Sequence, residues 1–341
     1  MPTDRPRLAL TLGDCAGIGP ELVLRALAAP SLNADCRLLV YGNLRLLSRV
    51  AAAAGLPLPE RLAVVPPDGV PAAPRDRHVL VDVPLDAAES LRPGAVQAAC
   101  GAAAHAWICA AVRDIQAGRA DALVTAPVNK EALHLAGVAF PGHTELLAHL
   151  TGASAPCMAF YAPGLVVSLA TIHEALADVP RLLTVPGLLR TIRLTHAACR
   201  GFGAAAPRLG VLALNPHAGE NGLFGGEESR VIEPAIAQAR AEGFDVAGPL
   251  VPDTAFTWLA ARPEKPPFDA YVAMYHDQGL IPFKMVAFDT GVNVTLGLPL
   301  IRTSPDHGTA FNLAWQGKAS PASLFSAITL AARMARSAAG T

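Results

Sequence analysis

Leu8-Ala9-Leu10-Thr11-Leu12, followed by Gly13-Asp14-Cys15-Ala16-Gly17-Ile18-Gly19-Pro20-Glu21, sets the fold class. The apolar run reads as a short buried strand, the glycine-rich stretch as a loop, and residues 21–29 as a helix. The same order recurs along the chain. Strands are predicted at 37–41, 79–83, 122–125, 165–171, 209–214 and 270–274. Helices are predicted at 44–54, 93–117, 185–200, 228–242 and 322–336. Pro93 suits the first turn of the alanine-rich helix and Gly118 its C-terminal stop. Alternation of strand and helix implies an α/β fold with a largely parallel sheet.

The 341 residues exceed one average domain but fit a large α/β unit or two lobes. With 52% hydrophobic and 16% charged residues the chain has the opposite balance from a disordered one. A formal charge of −1 gives no basic field for a polyanion. The cysteines at 15, 36, 100, 109, 157 and 199 form no C-x-x-C pair, so buried reduced thiols are expected. The apolar run at 8–12 is shorter than a signal-peptide core, and no run of about 18 uncharged apolar residues suggests a span. A cytoplasmic protein is therefore expected.

Ten histidines in so charge-poor a chain call for an explanation. Three of them follow predicted strands: His173 after residues 165–172, His217 in Asn215-Pro216-His217-Ala218-Gly219-Glu220, and His276 in Tyr275-His276-Asp277-Gln278-Gly279. Ligands in parallel α/β sheets bind beyond the C-terminal strand ends. Three imidazoles at that edge suit one divalent metal with a position left open. Any single histidine is more often a packing residue, and His78, His105, His134, His149 and His196 read as surface or helix-face residues.

Pro141-Gly142-His143-Thr144-Glu145 precedes a helical run and suits anion capture at a helix N-terminus, or simple capping by Thr144. Lys284, Asn293 and Arg302 lie in or beside apolar runs, where charge is costly unless paired; a phosphate or an internal acid would serve. Neither G-x-G-x-x-G after a strand nor a P-loop is present, so any dinucleotide must bind in another way.

Taken in order, these motifs resemble the 4-hydroxythreonine-4-phosphate dehydrogenase family of vitamin B6 biosynthesis. The resemblance rests on Gly13-Asp14-x-Ala16-Gly17-Ile18-Gly19-Pro20-Glu21, Thr125-x-Pro127-Val128-x-Lys130, Gly142-His143-Thr144-Glu145, the two histidine motifs above, and the segment 291–310. It implies a two-lobed fold like isocitrate and isopropylmalate dehydrogenases, with mixed, largely parallel sheets and a central cleft. The cofactor-side lobe would hold residues 1–135 and 290–341, the metal-ligand and dimerisation lobe residues 136–289.

The resemblance further implies a homodimer with a metal site shared across its interface. The metal (zinc, cobalt, magnesium, manganese or nickel) would sit on His173, His217 and His276. Substrate contacts would come from His143, Thr144, Lys284, Asn293 and Arg302. NAD or NADP would lie on the loop Asp306, His307, Gly308, Thr309 and Ala310. Asp253, Asp277 and Lys284 are the candidates for the base. The implied reaction oxidises and decarboxylates 4-phosphooxy-L-threonine to 3-amino-2-oxopropyl phosphate and CO2.

Cys15 stands where proline is usual in that family, Glu174-Ala175-Leu176 where a Leu-Pro-Leu-like run is usual, and Trp315-Gln316 where an Ala-Gly-like step is usual. These departures leave open a paralogue that oxidises 4-phospho-D-threonate or 4-phospho-D-erythronate to dihydroxyacetone phosphate. The histidines alone would also suit a metal-dependent hydrolase or lyase.

Overall fold

The structure, a computed structural model, describes residues 5–140 and 142–339, so Pro141 of the Pro141-Gly142-His143 motif lies outside it. Among the described residues the strands in chain order are β1 (Arg7–Thr11), β2 (Arg37–Gly42), β3 (Ala63–Val65), β4 (Val79–Asp82), β5 (Ala122–Thr125), β6 (Cys157–Ala162), β7 (Leu165–Leu169), β8 (Arg208–Leu212), β9 (Asp245–Leu250), β10 (Ala270–Ala273), β11 (Val292–Leu296) and β12 (Arg302–Pro305). The fold is α/β with largely parallel strands. Two compact units form, Met1–Pro156 with Leu298–Thr341, and Cys157–Gly297. The junctions lie after residues 156 and 297, where the sequence reading set them after 135 and 289, so His143 and Thr144 belong to the first unit.

In the first unit the strand order is β3-β4-β2-β1-β5-β12. Every pairing in it is parallel, with Leu8 opposite both Leu38 and Ala122, and Arg302 opposite Leu123. β1, β2 and β5 are buried almost end to end, as expected for strands covered on both faces. The helices Ala98–Gln116 and Ala322–Ala339 bury apolar faces that include Trp107, Ile108, Leu324 and Ile328. Gly13, at φ +70°, lets the chain leave β1 against the backbone of Pro127; a side chain there would meet that carbonyl at 2.3 Å.

In the second unit the order is β11-β6-β7-β10-β8-β9. β6 runs antiparallel to both β11 and β7, and the rest pair in parallel. One face of this sheet packs on Leu188, Leu189, Ile192, Ile232 and Ile236. The other holds Phe160, Leu280 and Phe283.

Several expectations are corrected. The alanine-rich helix starts at Ala98, because the chain turns at Pro93-Gly94, where Gly94 takes φ +73°. The segment expected to be helical over 228–242 opens with a π-turn, Glu228–Ile232, before the helix Glu233–Ala241. A helix that the sequence reading did not assign, His276–Ala287, follows β10 and carries Pro282 inside it. All six cysteines are free, and all but the half-buried Cys109 are buried. No helix among the described residues is long and apolar enough to cross a membrane.

Candidate active site

The three histidine-bearing strands are neighbours. β10 pairs in parallel with β7 on one side and β8 on the other, so their C-terminal ends open onto one edge. The imidazoles of His173 and His276 meet there, with ring centroids 5.8 Å apart. A pocket of about 290 Å³ lies over them, lined by Ile172, His173, Glu174, Leu176, Tyr275, His276 and Asp277 among others. His276 Nδ1 lies 2.7 Å from Asp277 Oδ1. A carboxylate that accepts from Nδ1–H fixes the tautomer and leaves the Nε2 lone pair for a ligand.

His217 does not join this pair: it is exposed, and its nearest ring is Phe224 at 6.3 Å between centroids. No group of three or more His, Cys, Asp or Glu side chains among the described residues is placed to hold a metal. The backbone around His217 is nonetheless built with care. His217, Ala218, Glu220 and Asn221 all take left-handed φ between 45° and 55°. Such strain persists only where the surroundings over-determine it. Glu228, buried on the following helical segment, supplies the restraint: its Oε1 accepts from the amides of Leu214 (2.9 Å) and Asn215 (2.8 Å). Its Oε2 and Glu227 Oε2 both accept from Asn215 Nδ2, at 3.0 and 2.9 Å. The sequence reading missed this anchor; no local signal separates Glu228 from other helix acids.

Asp253 is exposed on the loop after β9, and Asn293 is half-buried on β11. Lys284 is half-buried on the unassigned helix, with Nζ 5.7 Å from the Phe288 ring centroid. That helix and its C-cap residue Phe288 also present apolar side chains to solvent: Ile281 is 62%, Met285 81% and Phe288 72% exposed.

In the first unit, the helix His143–Thr151 starts at His143 behind Gly142, without a side-chain cap. Thr144 lies inside the first turn and is not the capping residue. The buried Nε2 of His143 has no hydrogen-bond partner. Burial, helped by the charges of Arg302 and Lys130, holds the imidazole well below its usual pKa and therefore neutral. Arg302, 4% exposed at the start of β12, donates from Nη2 to the Thr125 hydroxyl at 2.8 Å. Burial alone lowers its pKa to about 10. Lys130 opens the helix Lys130–Leu135, capped by Asn129, and its Cε comes within 3.5 Å of the side-chain position at Gly142. A helix N-terminus, a neutral imidazole with an open nitrogen and two cations are donors that could hold an oxyanion, with the Glu145 carboxylate also near, its Oε2 3.3 Å from the side-chain position at Gly142. The sequence reading noted Lys130 in a motif but did not place it in this cluster.

Beyond β12, residues 306–310 form an open loop. Gly308 is exposed, with nothing within 4 Å of the position a side chain would take, and Ala310 has φ +42°. His307 Nδ1 lies 3.0 Å from the Gly308 carbonyl. The loop is backed by the glycine-rich stretch after β1, since the Ile18 amide donates to the Thr309 carbonyl at 3.0 Å. An open, backbone-lined turn at the C-terminal strand edge is a place that could hold a dinucleotide without the usual fingerprint.

Residues 34–331 match the family model described as pyridoxal phosphate biosynthetic protein PdxA. The chain belongs to the PdxA family. A 4-hydroxythreonine-4-phosphate dehydrogenase from Geobacter metallireducens is 48% identical over 98% of this chain and 97% of the relative. A D-threonate 4-phosphate dehydrogenase from Salmonella typhimurium is 45% identical over 96% and 98%. The crystal structure of a 4-hydroxythreonine-4-phosphate dehydrogenase from Klebsiella pneumoniae is 44% identical, with a TM-score of 0.84 over 97% of this chain and 99% of that one. This PdxA-family chain is thus a relative of dehydrogenases whose names specify a 4-phosphate substrate.

Proposed function

We propose that this PdxA-family chain catalyses the NAD- or NADP-dependent oxidation and decarboxylation of 4-phosphooxy-L-threonine, giving 3-amino-2-oxopropyl phosphate and CO2. The observation that carries the reading is the buried, unpartnered His143 Nε2 beside Arg302 and Lys130. A neutral N–H there and the two cations would grip a phosphate and hold the reacting carbon at a fixed distance from it, a positioning contribution. Thr144, Asn293 and Lys284 are assigned to the rest of the substrate on the family resemblance.

The two imidazoles that meet at this edge would offer nitrogen donors to a divalent cation, which when bound lowers the pKa of the C3 hydroxyl and favours hydride loss to the dinucleotide. His276, oriented by Asp277, and His173 would hold it, with His217 as the third ligand. Zinc, cobalt, magnesium, manganese and nickel are all compatible. The loop 306–310 is assigned to the dinucleotide. Lys284 and Asp253 are the remaining acceptors for the hydroxyl proton, since Asp277 is engaged by His276. The exposed row Ile281, Met285 and Phe288 supports a homodimer, with the metal site completed by the second copy.

A second reading keeps the chemistry and changes the acid: 4-phospho-D-threonate or 4-phospho-D-erythronate, giving dihydroxyacetone phosphate. The 45% identity to a relative named D-threonate 4-phosphate dehydrogenase supports it. The acids share their carboxylate and differ at C2, where a carboxylate such as Glu174, in the pocket with His173 and His276, would favour an ammonium over a hydroxyl. The test compares NADH formation at 340 nm on the three phosphorylated acids, with and without metal. Turnover of a substrate without added dinucleotide would overturn both readings in favour of a hydrolase or lyase.

A further inference from the structure

Trp315 stands out in the first unit because it is bulky, 6% exposed, and held at φ +61°. A large side chain seldom takes that conformation unless several contacts enforce it. Here they are explicit. Its indole Nε1–H donates to the Cys15 carbonyl at 3.0 Å, and the Arg49 guanidinium lies 5.0 Å from its ring centroid. Arg49 also donates to the Ala88 and Leu91 carbonyls, so the stack is anchored on both sides.

The backbone of the same segment is held by one buried carboxylate. Glu21, in the first turn of the helix Gly19–Ala28, accepts from the Trp315 amide (Oε1, 3.2 Å) and the Gly317 amide (Oε2, 2.8 Å). Arg25, one turn along that helix, donates to the Gly317 carbonyl. Burial raises the Glu21 pKa, while the two amides and Arg25 work in the opposite direction. Charge-assisted bonds of this kind are stronger than neutral ones. Farther back, the Ile18 amide fixes Thr309. The strand–loop–helix unit of residues 7–28 therefore holds the loop 306–310 near its C-terminal end, at Thr309, and holds the segment that follows it at Trp315 and Gly317.

We propose that Glu21 and Trp315 are positioning residues for the dinucleotide: they pre-set the loop 306–310 so that binding does not have to order it. The proposal rests on the assignment of that loop to NAD or NADP. An ordering cost removed in advance appears as affinity. Neither residue needs to touch the cofactor.

The test uses the full-length protein with the variants Glu21→Gln, Glu21→Ala, Trp315→Phe and Trp315→Ala. Calorimetric NAD titration and amide hydrogen exchange over residues 306–317 are measured without substrate. The Ala variants should weaken NAD binding by about tenfold or more and speed exchange in that segment. Trp315→Phe keeps the ring but loses the N–H, and Glu21→Gln keeps one acceptor, so both should fall between. KM for the phosphorylated substrate and kcat at saturating NAD should stay near wild type. Wild-type NAD affinity in the two mild variants, with a folded thermal transition, would overturn the proposal. So would exchange over 306–317 that does not change in any variant. Absence of both NAD and NADP binding by the wild-type protein would instead sink the loop assignment, and the exchange data would still report whether these contacts order the segment.

Discussion

Asp277 Oδ1 sits 2.7 Å from His276 Nδ1, so the first two residues of the helix His276–Ala287 form a carboxylate–imidazole pair at the end of β10. The pair has a directional consequence. With Nδ1 occupied, only Nε2 can face a ligand. Asp277 is thus placed to orient His276.

The variant Asp277→Ala should therefore weaken divalent-metal affinity by about 10–100-fold. Because the Asp277 side chain is 72% exposed, the loss should come with little change in unfolding midpoint. Competition with a fluorescent chelator measures the first and a thermal melt the second. Unchanged metal affinity with a collapsed kcat would return Asp277 to the list of proton acceptors.

Arg302→Lys keeps a charge but loses the planar fork and the bond to Thr125. KM for the phosphorylated substrate should rise by about tenfold or more, equivalent to about 1.4 kcal/mol or more of lost binding. The NAD dissociation constant should be unaffected. Equal loss of both would show that the buried guanidinium acts through the stability of the unit.

These two sites differ in how legible they were. His173, His217 and His276 stood out because each follows an apolar run at a parallel strand end, and the structure makes those three strands neighbours. That only two of the rings meet could not be read, since the loop carrying His217 is shaped by Glu228 through tertiary contacts. β12 illustrates the limit better. Arg302-Thr303-Ser304-Pro305 has no apolar residue apart from Pro305, yet all four are buried. Two of its polar side chains are bonded from elsewhere, Thr303 donating to the Ala327 carbonyl at 2.9 Å and Arg302 Nη2 to Thr125. Periodicity cannot identify a strand whose burial depends on partners far away in sequence. The helix His276–Ala287 was hidden for another reason: Pro282 inside it and an exposed apolar row blur the usual amphipathic signal.

Glu228→Ala should strip the acceptor from the Leu214 and Asn215 amides together. Leaving buried donors unpaired costs about 1–3 kcal/mol each. A fall in melting temperature is expected. Relaxation of the left-handed run at His217 should also lower metal affinity in protein that remains folded. Full metal affinity in the folded fraction would exclude His217 from the ligand set.

His78 was read as a surface residue, but the structure buries it, with Nδ1 accepting from the Leu38 amide at 3.0 Å. Burial, aided by the charge of Arg37, lowers its pKa from 6.5 to about 4. Between those values the unfolded chain carries a proton that the native one does not, so stability is lost as pH falls from 6.5 towards 4. Asp14 works in the opposite sense. Its burial raises the pKa from 3.8 to about 6, so the native carboxyl takes up a proton first and stability is gained over the fall from 6 to 3.8. The two slopes oppose each other across the same window. His78→Asn retains an acceptor for Leu38 and removes only the first. Relative to wild type, its denaturation midpoint should therefore improve progressively between pH 6.5 and 4. The reversed change in Asp14→Asn should show the wild type gaining on the variant over that interval. Urea unfolding at half-unit pH steps measures both, and parallel curves for all three proteins would show that neither group is linked to folding as the structure places it.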